Sequence, residues 1–324
     1  MDCVTGVGDQ FWAQTRNGLT VGSIYAMIAL GYTMVYGVLQ LINFAHSEVF
    51  MVGIVASWHV VNRWFGVVGP QTGSALFLVM GGSIGVAMLA SGLTAITIER
   101  FAYRPLRKRG APRLSFLISA IGASLSIQYL FALMDGRHSL LFITLPNLQG
   151  TAPLPFPTVM ESQPLFSVFG APFTNRQVLV IGVAVTMMFL LDAFVRRTRL
   201  GRGIRAVAQD PETASLMGVS IDRVVVTTFF LGGVMAGAAG FLYVMLLGAP
   251  SHWAIGFLPG IKAFAAAVLG GIGNIRGAML GGLVLGLVEA HGTACVGSQW
   301  QTVISFMVLV AVLMVRPQGI LGRG

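Results

Sequence analysis

The stretch GFLPGIKAFAAAVLGGIGNIRGAMLGGLVLGLVEA, from Gly256 to Ala290, decides the fold. Its charges are Lys262, Arg276 and Glu289; the rest is apolar or small, with Pro259 and Asn274 as punctuation. Apolar runs at 255–272 and 277–293 flank the break Gly270-Gly271-Ile272-Gly273-Asn274-Ile275-Arg276-Gly277. A helix of about 20 apolar residues crosses roughly 30 Å of hydrocarbon. The segment therefore reads as two membrane crossings joined by a connection too short and glycine-rich to be an ordinary loop.

The rest of the chain repeats this pattern. Of 324 residues, 55% are apolar and 10% charged, and the mean hydropathy is +0.81. A soluble domain carries about 25% charged residues to cover its surface, so lipid is the solvent here. Further apolar runs at 18–39, 44–62, 74–98, 114–134, 176–195, 223–248 and 300–315 make nine crossings, within a range of eight to ten. The expected fold is an all-α polytopic bundle forming a single transmembrane domain over 1–324.

The net charge of +9 reports orientation and not a nucleic-acid partner. Arg100, Arg104, Arg107, Lys108, Arg109 and Arg113 form one cluster without an acid among them. Arg196, Arg197, Arg199, Arg202, Arg205 and Arg223 form a second, and Arg316 and Arg323 lie near the chain end. Cytoplasmic loops carry such an excess. Alternation then sets the N-terminus outside and the C-terminus inside, and puts 15 of the 20 basic residues on the cytoplasmic side. The 135–175 segment becomes an outer loop holding six of the thirteen prolines, with little charge, and is expected to be ordered. Asp2 and Asp9 stand where a secretory signal would be basic, so no processed signal is expected. The two cysteines, Cys3 and Cys295, both fall outside; they are too few for a disulfide framework or metal cluster, and although they could pair in an oxidising compartment, nothing in the sequence brings them together.

A second break, Asn43-Phe44-Ala45-His46-Ser47-Glu48, interrupts apolar sequence in the opposite half. Corresponding interruptions in two halves point to a transport pathway, and irregular backbone at membrane depth needs protein or a water-filled cavity over it. Asn43, His46, Glu48, Gly273, Asn274 and Gly277 are the pathway candidates, and both breaks are candidate re-entrant segments. The bland reading puts His46 and Glu48 at headgroup level, capping a helix. Glu289 and His291 read as interfacial, and Lys262 as snorkelling along its stem. Small residues recur four apart at Gly18/Gly22, Gly81/Gly85, Gly233/Gly237, Gly273/Gly277/Gly281 and Gly282/Gly286; the default meaning is close helix packing.

In the basic segment 196–223, Asp210 is a natural N-cap, Pro211 suits the first helical position, and Glu212 complements the helix dipole. Gly218 can end the helix in a left-handed turn. This punctuation predicts a short helix outside the membrane after a basic approach, exposing Ala214, Leu216 and Met217 to a partner's groove or to the lipid surface. Gly201-x-Gly203-x-x-Ala206 fits a dinucleotide fingerprint but follows a membrane helix where a strand is required. No GxxxxGK[ST], HExxH or paired-cysteine spacing occurs, so no enzyme activity, cofactor or metal is expected.

Four stretches carry a family resemblance: YTMVYGVLQLINFAHSEVFMVG from Tyr32, VRRTRLGRGIRAVAQDPETASLMGVSIDRV from Val195, the opening stretch from Gly256, and RPQGILGR from Arg316. In that order they resemble the permeases of branched-chain amino acid ABC transporters, specifically the first of the two paired permease types. Ser47 stands where that family usually has Gly; a position needing a left-handed backbone or a close approach would be strained by it.

The resemblance implies a subunit of a bacterial inner-membrane importer with a sister permease, two ATP-binding subunits and a periplasmic solute-binding protein. It also implies coupling to the ATPase through Arg202, Arg205, Asp210, Glu212, Leu216 and Gly218. Two other readings remain: a similar importer for urea or short amides, and a stand-alone ion-coupled transporter. The last would usually place several ionisable groups in mid-membrane.

Overall fold

The computed structural model describes residues 3–133, 155–248 and 252–322, with side chains omitted for 3–9 and 133. The Cys3 side chain and the 134–154 part of the outer loop lie outside these; Cys295 is disulfide-bonded.

The apolar runs form helices. These are α1 (Cys3–Leu39), α2 (His46–His59, continued by a π-turn Val60–Trp64), α3 (Gly73–Ile98, continued by a π-turn Glu99–Tyr103), α4 (Arg104–Lys108) and α5 (Arg113–Leu133). After them come α6 (Asn175–Arg197), α7 (Arg199–Gln209), α8 (Pro211–Leu216), α9 (Ile221–Leu247), α10 (Phe257–Gly270), α11 (Ile275–Val296) and α12 (Gln301–Val315). Among the described residues, seven helices are long and apolar enough to cross a membrane. Two drawn crossings are shorter: α2 and α10 have 14 residues each, about 21 Å at 1.5 Å per residue. The bundle is not purely helical. The described end of the outer loop carries an antiparallel hairpin, β1 (Pro164–Val168) with β2 (Ala171–Thr174).

The chain forms two compact units. One comprises Met1–Gln40, Ser162–Thr228 and Ile261–Gly324. In it, α1 lies antiparallel on α11 through interlocked glycines. A Cβ on Gly18 would sit 2.9 Å from the Gly286 carbonyl oxygen, and one on Gly22 2.9 Å from that of Gly282. Without a hydrophobic driving force between helices in lipid, this close backbone approach maximises dispersion. The turn between α10 and α11 is equally tight: a Cβ on Gly277 would meet the Gly270 oxygen at 2.3 Å, and one on Gly281 the Ala266 oxygen at 2.1 Å. Gly273 departs from the expected ladder. Its nearest neighbours would be 4.0 Å away, and glycine is required there by φ +92°.

The other unit comprises Leu41–Glu161 and Phe229–Gly260. Its core joins α2, α3 and α9: a Cβ on Gly53 would meet Gly237 Cα at 2.7 Å, and one on Gly237 the Ala87 oxygen at 2.3 Å. Ser91 Oγ donates to the Val49 carbonyl (2.8 Å), tying α3 to α2. Gly81 and Gly85, also spaced for packing, have nothing within 4 Å.

Candidate transport site and coupling element

The first break opens where Gln40 takes φ +54° and ends α1. Asn43 then makes an Asx turn: its Oδ1 accepts from the Ala45 amide at 3.1 Å and from the Tyr103 hydroxyl at 3.2 Å. His46, Ser47 and Glu48 form the first turn of α2, where a carboxylate complements the helix dipole. All four polar side chains are buried, Glu48 completely. Glu48 Oε1 accepts from Ser47 Oγ and from Ser124 Oγ on α5, each at 3.3 Å, while its Oε2 is buried without a hydrogen-bond partner.

Ser47 is not strained. It lies in ordinary helix and its hydroxyl donates to the Phe44 carbonyl at 2.9 Å. The close approach falls to its neighbour: a Cβ on Gly256 would meet the Ser47 oxygen at 2.2 Å.

At the second break, Asn274 caps α11 by accepting from the Arg276 and Gly277 amides at 3.1 and 3.3 Å. Its Nδ2 donates to the Leu321 carbonyl at 2.8 Å. The Ile320 and Leu321 amides donate to the Leu269 and Gly270 oxygens, satisfying carbonyls that the end of α10 leaves open. Asn274 is thus an anchor for the C-terminal segment, and Gly277 a packing residue. The two candidate groups fall in different compact units: Asn43, His46 and Glu48 in one, Gly273, Asn274 and Gly277 in the other.

Sequence reasoning missed a polar cluster in the first unit. Neither Lys262 nor Glu289 reaches outward: both side chains are buried against each other. Lys262 Nζ meets Glu289 Oε1 at 2.6 Å. Ser305 Oγ donates to the same oxygen at 2.7 Å, and Tyr25 OH donates to Oε2 at 2.9 Å. Residues of α1, α10, α11 and α12 converge here, and Ser305 is the buried residue of α12. The available signal was pairing: one cation and one anion on adjacent crossings, each too costly to bury alone.

The 196–223 segment is more helical than its punctuation predicts. The basic approach is itself α7, capped by Thr198 Oγ1, which accepts from the Gly201 amide at 2.9 Å. Gly201 marks the corner from α6, since a Cβ there would meet the Val195 oxygen at 2.3 Å; this geometry accounts for the first glycine of the spurious dinucleotide fingerprint. Asp210 caps α8 as expected, accepting from the Glu212 and Thr213 amides at 3.0 and 3.3 Å and from the Thr213 hydroxyl. That hydroxyl, then the backbone amides, hold the Asp210 carboxyl below its ordinary range. Gly218 ends the element with φ +83°. Ala214 is buried, contrary to expectation, whereas Leu216 and Met217 are 87% and 81% exposed. Arg202 lines an open groove of about 380 Å³ together with Arg199, Gly218 and Arg223; Arg205 and Glu212 lie outside it.

A family model described as the branched-chain amino acid transport system / permease component matches residues 14–313. The chain belongs to this family. It is 43% identical over 313 residues to the high-affinity branched-chain amino acid transport system permease protein LivH of Escherichia coli (strain K12), covering 97% of this chain and 96% of that protein. It is 41% identical over 314 residues to the corresponding protein BraD of Pseudomonas aeruginosa, covering 96% and 95%. Among solved structures, an inward-facing putative metal-chelate type ABC transporter aligns over 92% of this chain and 85% of that one, with 14% identity and a TM-score of 0.49. This permease is a multi-pass inner-membrane protein, and a permease component is by description one part of a larger transport system.

Proposed function

We propose that the chain is the membrane-spanning permease subunit of an ATP-driven importer that carries branched-chain or related amino acids inward. The observation that carries this reading is family membership over 14–313, with relatives above 40% identity across at least 95% of their length. Residues 1–324 act as one permease domain of nine crossings, N-terminus outside and C-terminus cytoplasmic. Its partners are a sister permease, two ATP-binding subunits that hydrolyse the nucleotide, and a periplasmic solute-binding protein.

Glu48 is the strongest pathway residue, because its buried second oxygen has no hydrogen-bond partner and an intramembrane carboxyl is expensive to keep without a role. Asn43 and His46 shape the turn that presents it. Gly273, Asn274 and Gly277 hold the second break in form. The α7–α8 segment couples to an ATP-binding subunit, with Leu216 as the exposed contact, Asp210 and Gly218 fixing the helix ends, and Arg202, Arg205 and Glu212 supplying charge.

Reconstitution into vesicles with the partner subunits tests the whole reading. Leucine uptake that requires ATP, the binding protein and this chain is expected. Uptake of urea or short amides in place of leucine would favour the related importer class, and uptake by this chain alone would favour an ion-coupled transporter.

A further inference from the structure

The first basic cluster is given no role by that reading, and its geometry suggests one. The apolar run of α3 is 26 residues long, about 39 Å at 1.5 Å per residue, against roughly 30 Å of hydrocarbon. The residues directly after it therefore fall at headgroup depth or just beyond. There the helix passes through the π-turn Glu99–Tyr103 into α4. Glu99, the acid of this turn, is fully buried and is paired to Arg107 at 3.1 Å. It neutralises that cation internally and is withdrawn from the surface.

What remains outside is a groove of about 410 Å³ lined by Arg100, Arg104, Lys108, Phe101 and Pro105. The cations recur at four-residue spacing along one side of the helix, and no carboxylate lines the groove. Phe101 is 80% exposed. Aromatic rings are favoured at the membrane–water boundary, and basic pockets at this depth attract anionic headgroups.

We infer that the Arg100–Lys108 groove binds the phosphate of an anionic phospholipid, with Phe101 lying against the upper acyl region. The shared chemistry is a phosphate anion, which a lipid or free phosphate could supply. The lipid is favoured because an exposed phenyl ring adjoins the cations at the end of a membrane span.

The test uses the purified full-length chain, with any subunits that accompany it, in nanodiscs of phosphatidylcholine with or without phosphatidylglycerol. Lipid retained on mild detergent extraction is counted by native mass spectrometry. Wild type should retain phosphatidylglycerol over phosphatidylcholine, and millimolar inorganic phosphate should not displace it. Arg100→Gln with Lys108→Gln should weaken retention roughly tenfold or more, while the charge-preserving Arg100→Lys with Lys108→Arg should keep it. Arg104 is left in place because it is partly buried and makes other contacts. Equal retention by the neutral and charged variants would overturn the proposal. Displacement by inorganic phosphate would assign the groove to the free anion, and loss of an ATP-binding subunit with unchanged lipid would assign it to a protein; either result sinks the lipid reading.

Discussion

Lys262 Nζ lies 2.6 Å from Glu289 Oε1, with the two side chains only 8% and 2% exposed. Both carboxylate oxygens are engaged: Ser305 shares Oε1 with the ammonium and Tyr25 donates to Oε2. The ammonium also stands 6.0 Å from the centre of the Tyr25 ring, within reach of a cation–π attraction. Each charge is tolerable in a lipid-solvated bundle because the other is there.

A double-mutant cycle follows from that dependence. Lys262→Met alone and Glu289→Met alone each leave a buried charge without its counter-ion, and each should destabilise by about 3–5 kcal/mol. Changing both should recover most of the loss, since an apolar pair of similar volume is often neutral there. Thermal unfolding of the purified chain in detergent is the measurement. Additive losses in the double variant would show that the two groups do not depend on one another.

The glycine pattern makes a contrast within one chain. Gly277→Leu would drive its side chain into the Gly270 carbonyl, a backbone atom that cannot swing away. The chain should fail to yield monodisperse protein and should lose transport with it. Gly81→Leu, with nothing within 4 Å, should leave the isolated chain's thermal stability close to wild type. A tolerated Gly277→Leu would mean that the α10–α11 approach is looser than described, and comparable damage from Gly81→Leu would mean that the Gly81 face is packed.

That contrast also marks how much the sequence could say. Run length and spacing located the helices, because burying backbone in lipid leaves few alternatives. Punctuation at Asp210, Pro211 and Gly218 placed α8 to the residue, since a cap and a left-handed stop are local matters. Spacing could not tell Gly277, which packs, from Gly81, which does not, because the partner helix is chosen by tertiary structure. For the same reason the close approach suspected at Ser47 is accommodated instead by Gly256, far along the chain. The Lys262–Glu289 pair joins two crossings whose rotation about their axes hydropathy does not encode. The β1–β2 hairpin was hidden because PLFSV and APFT are short, lack a strict apolar–polar alternation and each contain a proline.

At Asp210 the cap is held by the Thr213 hydroxyl and by two amides of the first turn. The folded-state pKa is lowered, so the cap's contribution is fully present above the ordinary carboxyl value of about 3.9 and is lost as pH falls through the lower folded value. No change is therefore expected across neutral pH. Asp210→Ala removes the acceptor, so amide exchange at Glu212 and Thr213 should accelerate severalfold at pH 7. Asp210→Asn, which still caps, should remain near wild type. Equal exchange in all three proteins would show that α8 is held by packing and not by its cap.

The α8 helix is six residues long, about 9 Å, and could not persist alone in water. Its own chain holds it: Asp210 caps one end, Gly218 turns the other with φ +83°, and Ala214 is buried beneath. This leaves Leu216 and Met217 with most of their surface in the open. A rigid short helix presenting two apolar side chains beside arginines is suited either to a groove in a partner subunit or to the lipid surface. Leu216→Asp together with Glu212→Arg separates these, because both residues are on the surface and neither change should disturb the fold. If the element couples to an ATP-binding subunit, the reconstituted complex should keep its subunit stoichiometry and its docking of loaded binding protein. Stimulation of ATP hydrolysis by that binding protein should fall to the basal rate, since movement would no longer pass across the contact. Stimulation that survives the double change at normal stoichiometry would leave the element as a lipid-surface helix and put coupling elsewhere in the chain.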